Sequence, residues 1–317
     1  MKETLFGKKI LLLFCAILIC LACVACGENN EEANEDEDGY NTKTTADIRI
    51  ATKNTPDQNI LANLAKILIK EKMGIDATVV YYDDSTSPAL LEKLRDNSIQ
   101  IFFDYAGSLA VNALEYDPET INSVTLLQDV QNDLKKDGGI LVSEEIGYNA
   151  TSTIYMMASR REELGIATLT NLSQYADKLK IGMNEAFFKR EDCFEALCAF
   201  YNEMEFKSAE IYTEEEGYSA LSAGKIDVFI GAATSPYRSL FDVRALVDDK
   251  HFFLPQNTCY LLSGKVQKSV PQLEIVLSNM EGLISASRMS LMIRRIYWEG
   301  NDIDEYLHTY LRANNII

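Results

Sequence analysis

The sequence predicts an α/β protein with two lobes and a ligand cleft between them. Short apolar segments alternate with amphipathic ones from Ile48 onward, a pattern typical of strands and helices in a mostly parallel sheet. The alternation restarts after about Thr151, which indicates a second unit of the same kind. Ligands of such sheets bind beyond the carboxyl ends of the strands, so two units imply a cleft between lobes.

The first 26 residues have the layout of a secretory signal peptide. Lysines precede an apolar run of about 16 residues ending at Ala25, short of the ~20 residues that span a bilayer as a helix. A cysteine after a small residue at this point, here Cys26, is similar to the lipid-bearing cysteine of a bacterial lipoprotein. Cys23 is the alternative acceptor, and an uncleaved single-span anchor is the alternative to cleavage.

Residues 27–47 are mostly acidic and polar and predict a disordered tether. Together with the signal peptide, this segment predicts a protein anchored by lipid to the outer face of the bacterial cell membrane, extracellular or periplasmic. The formal net charge of the chain is −18, and because such a chain repels phosphate backbones we expect no nucleic-acid partner.

The first α/β unit begins with a predicted strand at Ile48–Thr52, which leads into a helix. Thr55 is suited to cap that helix, and Pro56 occupies its first helical position. The pattern continues with strands at Ala77–Tyr82 and Ile99–Phe103, separated by a helix that opens at Ser87. We assign residues 48–150, together with 248–317, to lobe 1.

The second unit occupies residues 151–247, which we assign to lobe 2. Its predicted elements are a strand at Leu179–Gly182, helices at Glu195–Tyr201 and Gly217–Ala223, and a buried strand at Ile226–Ile230. The tail from Pro271 to Leu311 is mainly helical in pattern and returns to lobe 1.

Catalytic groups are scarce, so we predict a non-enzymatic protein without cofactor or metal. There are two histidines, and neither lies in a nucleophile, metalloprotease or phosphate-binding motif. Beyond the signal peptide the cysteines are Cys193, Cys198 and Cys259, whose spacing matches no metal site. We expect buried thiols that pack as small apolar side chains.

Several ordered motifs resemble one known family. Lys53-Asn54-Thr55-Pro56-Asp57-Gln58 resembles a Lys-Asn-x-x-Glu-Gln turn, and Asp104-Tyr105-Ala106-Gly107-Ser108 resembles a Glu-Tyr-Thr-Gly-Thr turn. Lys189-Arg190-Glu191-Asp192 resembles an Asp-Arg-x-Asp segment, and Gly217-Tyr218-Ser219-Ala220-Leu221 a Tyr-x-Ala-Leu helix. The family is that of the glycine betaine/carnitine/choline substrate-binding proteins of ABC transporters, and the resemblance spans roughly residues 48–315.

This resemblance implies a type II periplasmic-binding-protein-like fold that closes on a quaternary ammonium ligand. It implies an aromatic box formed by Tyr105, Tyr155, Tyr218 and Phe241, where Phe241 replaces a tyrosine of the family. It also implies that Lys53, Ser108 and Arg190 hold the carboxylate of the ligand. The implied partner is the membrane subunit of an ABC permease.

The chemistry of the ligand is consistent with such a box. A trimethylammonium group has no N–H donor, so aromatic faces and not hydrogen bonds must hold it. Lys53 and Arg190 would oppose a cation without a carboxylate, which favours a zwitterion such as glycine betaine or carnitine. A different small zwitterion or amino-acid-like solute is the alternative ligand. An extracellular enzyme or surface interaction protein on the same scaffold is the alternative function.

Overall fold

A computed structural model describes residues 47–83, 85–190 and 193–317. The predicted signal peptide, the tether up to Ala46 and lipidation at Cys26 lie outside the described residues. None of the described helices combines the length and the apolar character needed to cross a membrane.

Strands and helices of the first part of the chain form the sheet of lobe 1. The elements are β1 (Arg49–Thr52), α1 (Pro56–Met73), β2 (Thr78–Tyr81), α2 (Ser87–Asp96), β3 (Ile101–Tyr105), α3 (Ala106–Ser108), a π-helical segment (Leu109–Ala113), a 3₁₀ turn (Pro118–Thr120), α4 (Leu126–Lys136) and β4 (Leu141–Val142). Their sequence signals are local: Thr55 and Pro56 precede α1, and Gly74 ends it in the left-handed conformation at φ 69°.

The middle of the chain forms the sheet of lobe 2. Its elements are β5 (Ser152–Met157), α5 (Ala158–Leu164), α6 (Leu169–Ser173), a 3₁₀ turn (Ala176–Lys178), β6 (Lys180–Met183), α7 (Glu185–Lys189), α8 (Phe194–Phe200), β7 (Ser208–Ile211), α9 (Glu214–Ser222), β8 (Val228–Ala232), a 3₁₀ segment (Pro236–Leu240) and β9 (Val243–Ala245). Helix α9 begins earlier than predicted because Thr213 caps it and forms a capping box with Glu216.

The last part of the chain returns to the first sheet and adds a helical layer. The elements are β10 (Thr258–Leu262), α10 (Gly264–Ser269), α11 (Gln272–Leu277), a 3₁₀ turn (Ser278–Met280), α12 (Ala286–Ile293), a π-helical segment (Arg294–Trp298) and α13 (Ile303–Ala313). Met289 and Met292 of α12 belong to the same apolar core as strand residues Ile50 and Phe103, so this layer packs on lobe 1.

Each sheet has five strands, in the orders β2-β1-β3-β10-β4 and β7-β6-β8-β5-β9. In both, three neighbouring strands are parallel, and β10 or β5 runs antiparallel beside them. Apolar cores lie on both faces of each sheet, which confirms the α/β class. Strands β1–β4 and β10 form one sheet, and strands β5–β9 form the other. The lobe boundaries themselves stay a prediction.

Two chain segments connect the sheets. Asn149 and Asn257 form an antiparallel bridge, and the backbone N–H of Ala150 donates to the carbonyl of Gln256 at 2.9 Å. The outgoing segment enters β5 and the returning segment enters β10. Both connections therefore meet at the strand ends where the lobes face each other.

The cysteine prediction is confirmed only for one residue. Cys259 is fully buried in β10, with its Sγ atom 3.6 Å from the carbonyl oxygen of Asp104. Cys193 and Cys198 are half-buried beside the lobe 2 core. The expectation of three buried thiols is wrong for this pair, because Cys198 lies in a short helix, Phe194–Phe200, that buries Leu197 alone.

Candidate functional site

Lys53 follows β1 and points to a buried carboxylate. Its Nζ atom lies 2.8 and 2.9 Å from the two carboxylate oxygens of Asp104, and it donates to Ser87 Oγ at 2.8 Å. The Lys53 side chain is 16% exposed and that of Asp104 is fully buried. The charge of the predicted ligand residue Lys53 is therefore already compensated within lobe 1.

Tyr105 ends β3 and shares a carboxylate with Tyr148. The Tyr105 hydroxyl donates to Asp57 Oδ2 at 2.5 Å, and the Tyr148 hydroxyl to the same atom at 3.2 Å. Asp57 lies in the first turn of α1, where the helix dipole stabilises a negative charge. Burial, followed by the charge of Asp57, raises the pKa of both tyrosines well above 10.0.

Ser108 lies in the turn after Tyr105 and contacts the returning connection. Its hydroxyl donates to Gln256 Oε1 at 3.2 Å, and its backbone N–H to the same oxygen at 3.1 Å. A Cβ atom on the neighbouring Gly107 would lie 2.6 Å from the carbonyl oxygen of Pro255, so only glycine permits this approach. Gln58 Oε1 accepts the backbone N–H of Lys53 at 3.1 Å, and its buried Nε2 atom, beside the Tyr105 side chain, forms no hydrogen bond of regular geometry among the described residues.

Three predicted box residues meet in lobe 2. The ring centroids of Tyr155 and Tyr218 are 5.7 Å apart, and those of Tyr218 and Phe241 are 6.4 Å apart with parallel planes. Glycines provide the space: a Cβ on Gly217 would lie 2.0 Å from the ring of Phe229. Tyr155 and Tyr218 have no exposed surface, so their rings are covered in this conformation.

The hydroxyl of Tyr218 is buried near Ser235 and Tyr155, and within the described residues it forms no hydrogen bond of regular geometry. Burial, together with neighbouring Tyr155 and Glu214, raises its pKa strongly. A neutral, unpartnered hydroxyl at this depth is uncommon, because such groups are nearly always paired.

Arg238 covers the ring of Tyr155. Its guanidinium carbon lies 5.2 Å from the ring centroid, within the range of a cation–π contact. The guanidinium donates to the carbonyl of Ala233 at 2.7 Å and to Ser287 Oγ of lobe 1 at 3.0 Å. Burial raises the pKa of Tyr155, and the charge of Arg238 opposes that rise.

Helix α12 and the segment that follows it join the two lobes beside this cluster. Ser290 Oγ donates to the carbonyl of Ser235 at 2.6 Å, and Arg294 donates to that of Ser239 at 3.1 Å. Tyr237 and Trp298 meet edge to face, with ring centroids 4.5 Å apart. The lobes are therefore in direct contact around the aromatic cluster.

A cavity of about 480 Å³ lies where the lobes meet, within the size range of small-molecule sites. Its lining residues are Glu145, Gly147, Tyr148, Asn149, Thr151, Ser152, Thr153, Ile154, Tyr155, Ala233, Arg238, Ala245, Leu246, Asp248, Phe253, Ser285, Ala286 and Ser287. Tyr155 is the predicted site residue among them. The other six predicted contacts lie outside this lining.

Residues 46–313 match the OpuAC family, described as the substrate-binding domain of ABC-type glycine betaine transport systems. The chain belongs to this family. It is accordingly a substrate-binding protein of an ABC transport system for solutes of the glycine betaine type and not an enzyme. OpuAC-family proteins act extracellularly or in the periplasm, where they deliver small ligands to permease subunits.

Curated relatives of this OpuAC-family chain are transport proteins of low sequence identity. The carnitine transport binding protein OpuCC of Listeria monocytogenes is 25% identical over 259 residues, which cover 79% of this chain and 80% of that protein. The ergothioneine transport permease/ergothioneine binding protein EgtU of Helicobacter pylori is 22% identical over 247 residues, 76% of this chain and 42% of that protein.

Solved structures confirm the two-lobed binding-protein fold. A glycine betaine/carnitine/choline ABC transporter structure superposes with a TM-score of 0.78 at 21% identity, covering 85% of this chain and 99% of that one. Apo YehZ from Escherichia coli superposes with a TM-score of 0.74 at 15% identity, covering 86% and 100%. At these identities the likeness establishes the fold alone.

The OpuAC-family motifs did not identify every residue at the site. Arg190 caps the end of α7 and its side chain is exposed, and it does not line the cavity. Arg238, Tyr237 and Gln256 were not predicted, because none of them lies in a motif quoted from the sequence. The buried Gln58 could have been found, since it ends the Lys-Asn-x-x-Glu-Gln resemblance.

Proposed function

We propose that the protein binds a quaternary-ammonium compatible solute of the glycine betaine or carnitine type and delivers it to an ABC permease. The observation that carries the proposal is the guanidinium over the face of Tyr155, 5.2 Å from the ring centroid. A site that already holds an organic cation on an aromatic face has the chemistry that a trimethylammonium group requires.

The proposed box combines Tyr155, Tyr218 and Phe241 of lobe 2 with Tyr105 of lobe 1. Because the rings of Tyr155 and Tyr218 are covered, the ligand reaches them when the lobes separate. Each aromatic face contributes about 0.5–1 kcal/mol when exposed and ~2 kcal/mol when desolvated. Four faces thus supply a large part of the ~8 kcal/mol that micromolar binding requires.

The carboxylate end of the ligand is proposed to contact Lys53, Ser108 and Arg190. Ser108 supports this role through its position beside Tyr105, with its hydroxyl directed at Gln256. Lys53 contributes hydrogen-bond donors more than net charge, since Asp104 neutralises it. Gln58 accepts the backbone N–H of Lys53, so its buried Nε2 offers a further donor near Lys53.

A different small zwitterion is the second candidate. The relative named for ergothioneine binding extends the range of candidate ligands to betaines derived from amino acids. The cavity of about 480 Å³ leaves room for such a solute.

Calorimetric titration tests both candidates. The full chain, purified in detergent, is titrated with glycine betaine, carnitine, choline and ergothioneine. We expect micromolar binding of glycine betaine or carnitine. A folded protein that binds none of the four would contradict the proposal, and binding of ergothioneine alone would favour the second candidate.

We further propose that Cys26 carries the lipid anchor. The supporting features are the apolar run before it and the acidic segment after it. Metabolic labelling with an alkyne fatty acid tests the assignment: Cys26→Ala should lose the label and Cys23→Ala should keep it. The reverse result would assign the anchor to Cys23.

A further inference from the structure

Among the described residues, Arg238 is a basic residue with no carboxylate partner. It is half-buried, and it contacts the neutral acceptors Ala233 O and Ser287 Oγ together with the ring of Tyr155. Within the described residues no Asp or Glu forms an ion pair with it. Lys53 differs in this respect, because Asp104 neutralises it at 2.8 Å.

Among the described residues that line the cavity, Arg238 alone is basic. Two acids also line it, Glu145 and Asp248. The carboxylate of Asp248 already accepts the backbone N–H groups of Phe252 and Phe253 at 3.1 and 2.8 Å, as well as the hydroxyl of Tyr201. The carboxylate of Asp248 is thus occupied by hydrogen bonds from nearby residues. The guanidinium of Arg238 still has N–H groups that can donate to a ligand.

The position of Arg238 has a consequence for ligand choice that rests on the proposed function. An ammonium group that takes the face of Tyr155 must displace the guanidinium, which remains in the cavity wall. Like charges then repel unless the ligand also brings an anion. A carboxylate matches the planar guanidinium fork and turns the repulsion into charge-assisted hydrogen bonds.

We propose that Arg238 is the residue that selects zwitterionic over purely cationic quaternary-ammonium ligands. The selecting charge then lies in lobe 2, beside the aromatic cluster, and not at Lys53. Ser287 of lobe 1 orients the guanidinium through its hydroxyl. The guanidinium of Arg238 is therefore held in this position when the lobes are in contact.

The test uses ligand pairs that differ in the carboxylate. Glycine betaine is compared with choline, and carnitine with its methyl ester, by calorimetry on the full chain in detergent. In the wild type the ligand with a carboxylate should bind at least about tenfold more tightly, the size of one charge-assisted hydrogen bond. Arg238→Gln should reduce this ratio about tenfold, and Arg238→Lys should retain most of it.

Arg244→Gln is the matched control, because it removes the same charge from lobe 2 at an exposed site paired with Asp242 and should leave both ratios unchanged. An unchanged ratio in folded Arg238→Gln overturns the inference. Equal affinity of the wild type for both members of each ligand pair also overturns the inference. That result requires no variant, and it does not contradict the proposed function. A wild type that binds no quaternary ammonium contradicts the proposed function and the inference with it.

Discussion

Lys53 and Asp104 are 51 residues apart in the chain, yet Nζ lies 2.8 and 2.9 Å from the carboxylate oxygens. Parallel pairing of β1 with β3 brings them together, since Lys53 follows one strand and Asp104 lies near the end of the other. A charge pair at the carboxyl edge of the sheet therefore links the fold of lobe 1 to its candidate ligand surface.

Asp104→Asn should destabilise the protein, because it leaves the largely buried ammonium of Lys53 without its counter-charge. Removing one member of a buried pair costs about 3 kcal/mol or more. Asp242→Asn is the control, since it breaks the exposed pair with Arg244 and should cost about 1 kcal/mol or less. Urea unfolding measures both, and equal losses would show that the buried pair contributes no more than the exposed one.

Local signals allowed much of the fold to be predicted from the sequence. The apolar period, Thr55 with Pro56 before α1, and Ser87 with Pro88 at α2 all mark element ends within a few residues. The side-chain partners could not be predicted in this way. The contact of Arg238 with Ser287 joins residues 49 apart in the chain, and it depends on how two lobes meet, which no local pattern encodes.

Loss of the Tyr218 hydroxyl should not destabilise the protein. Because it is buried without a described partner, Tyr218→Phe should leave the free energy of unfolding unchanged or raise it. Tyr105→Phe provides the contrast, since it removes a 2.5 Å hydrogen bond to Asp57 and should cost about 1.5–3 kcal/mol, as bonds to charged groups do. Thermal and urea unfolding compare the two variants. A larger loss for Tyr218→Phe than for Tyr105→Phe would point to a partner for the Tyr218 hydroxyl.

The free energy of unfolding should fall at alkaline pH because of Tyr105 and Tyr148, whose hydroxyls donate to Asp57. The folded pKa values of Tyr105 and Tyr148 are raised well above the ordinary value of 10.0, so above about pH 10 the unfolded chain loses protons that the folded protein keeps. Their contribution to stability is complete below pH 10 and is lost as pH rises toward the folded pKa, by up to about 1.4 kcal/mol per pH unit for each. Urea unfolding between pH 8 and 11 measures the slope. The double variant Tyr105→Phe/Tyr148→Phe should lower it, and an identical slope would assign the loss to other groups.

Gly217→Ala should disturb both packing and ligand binding, because the new methyl group would lie 2.0 Å from the ring of Phe229. Phe229 contacts Tyr218 with ring centroids 5.2 Å apart, so a shift of either ring displaces the proposed box. Overpacking of this kind costs about 1–3 kcal/mol. We expect calorimetry to show weaker binding of the preferred ligand even where the variant is fully folded. Ser219→Ala, on the exposed face of the same helix, is the control and should change stability by no more than about 0.5 kcal/mol. If Gly217→Ala matched Ser219→Ala in stability and affinity, the ring of Phe229 would have space to move without affecting Tyr218, and the box would not depend on this close approach.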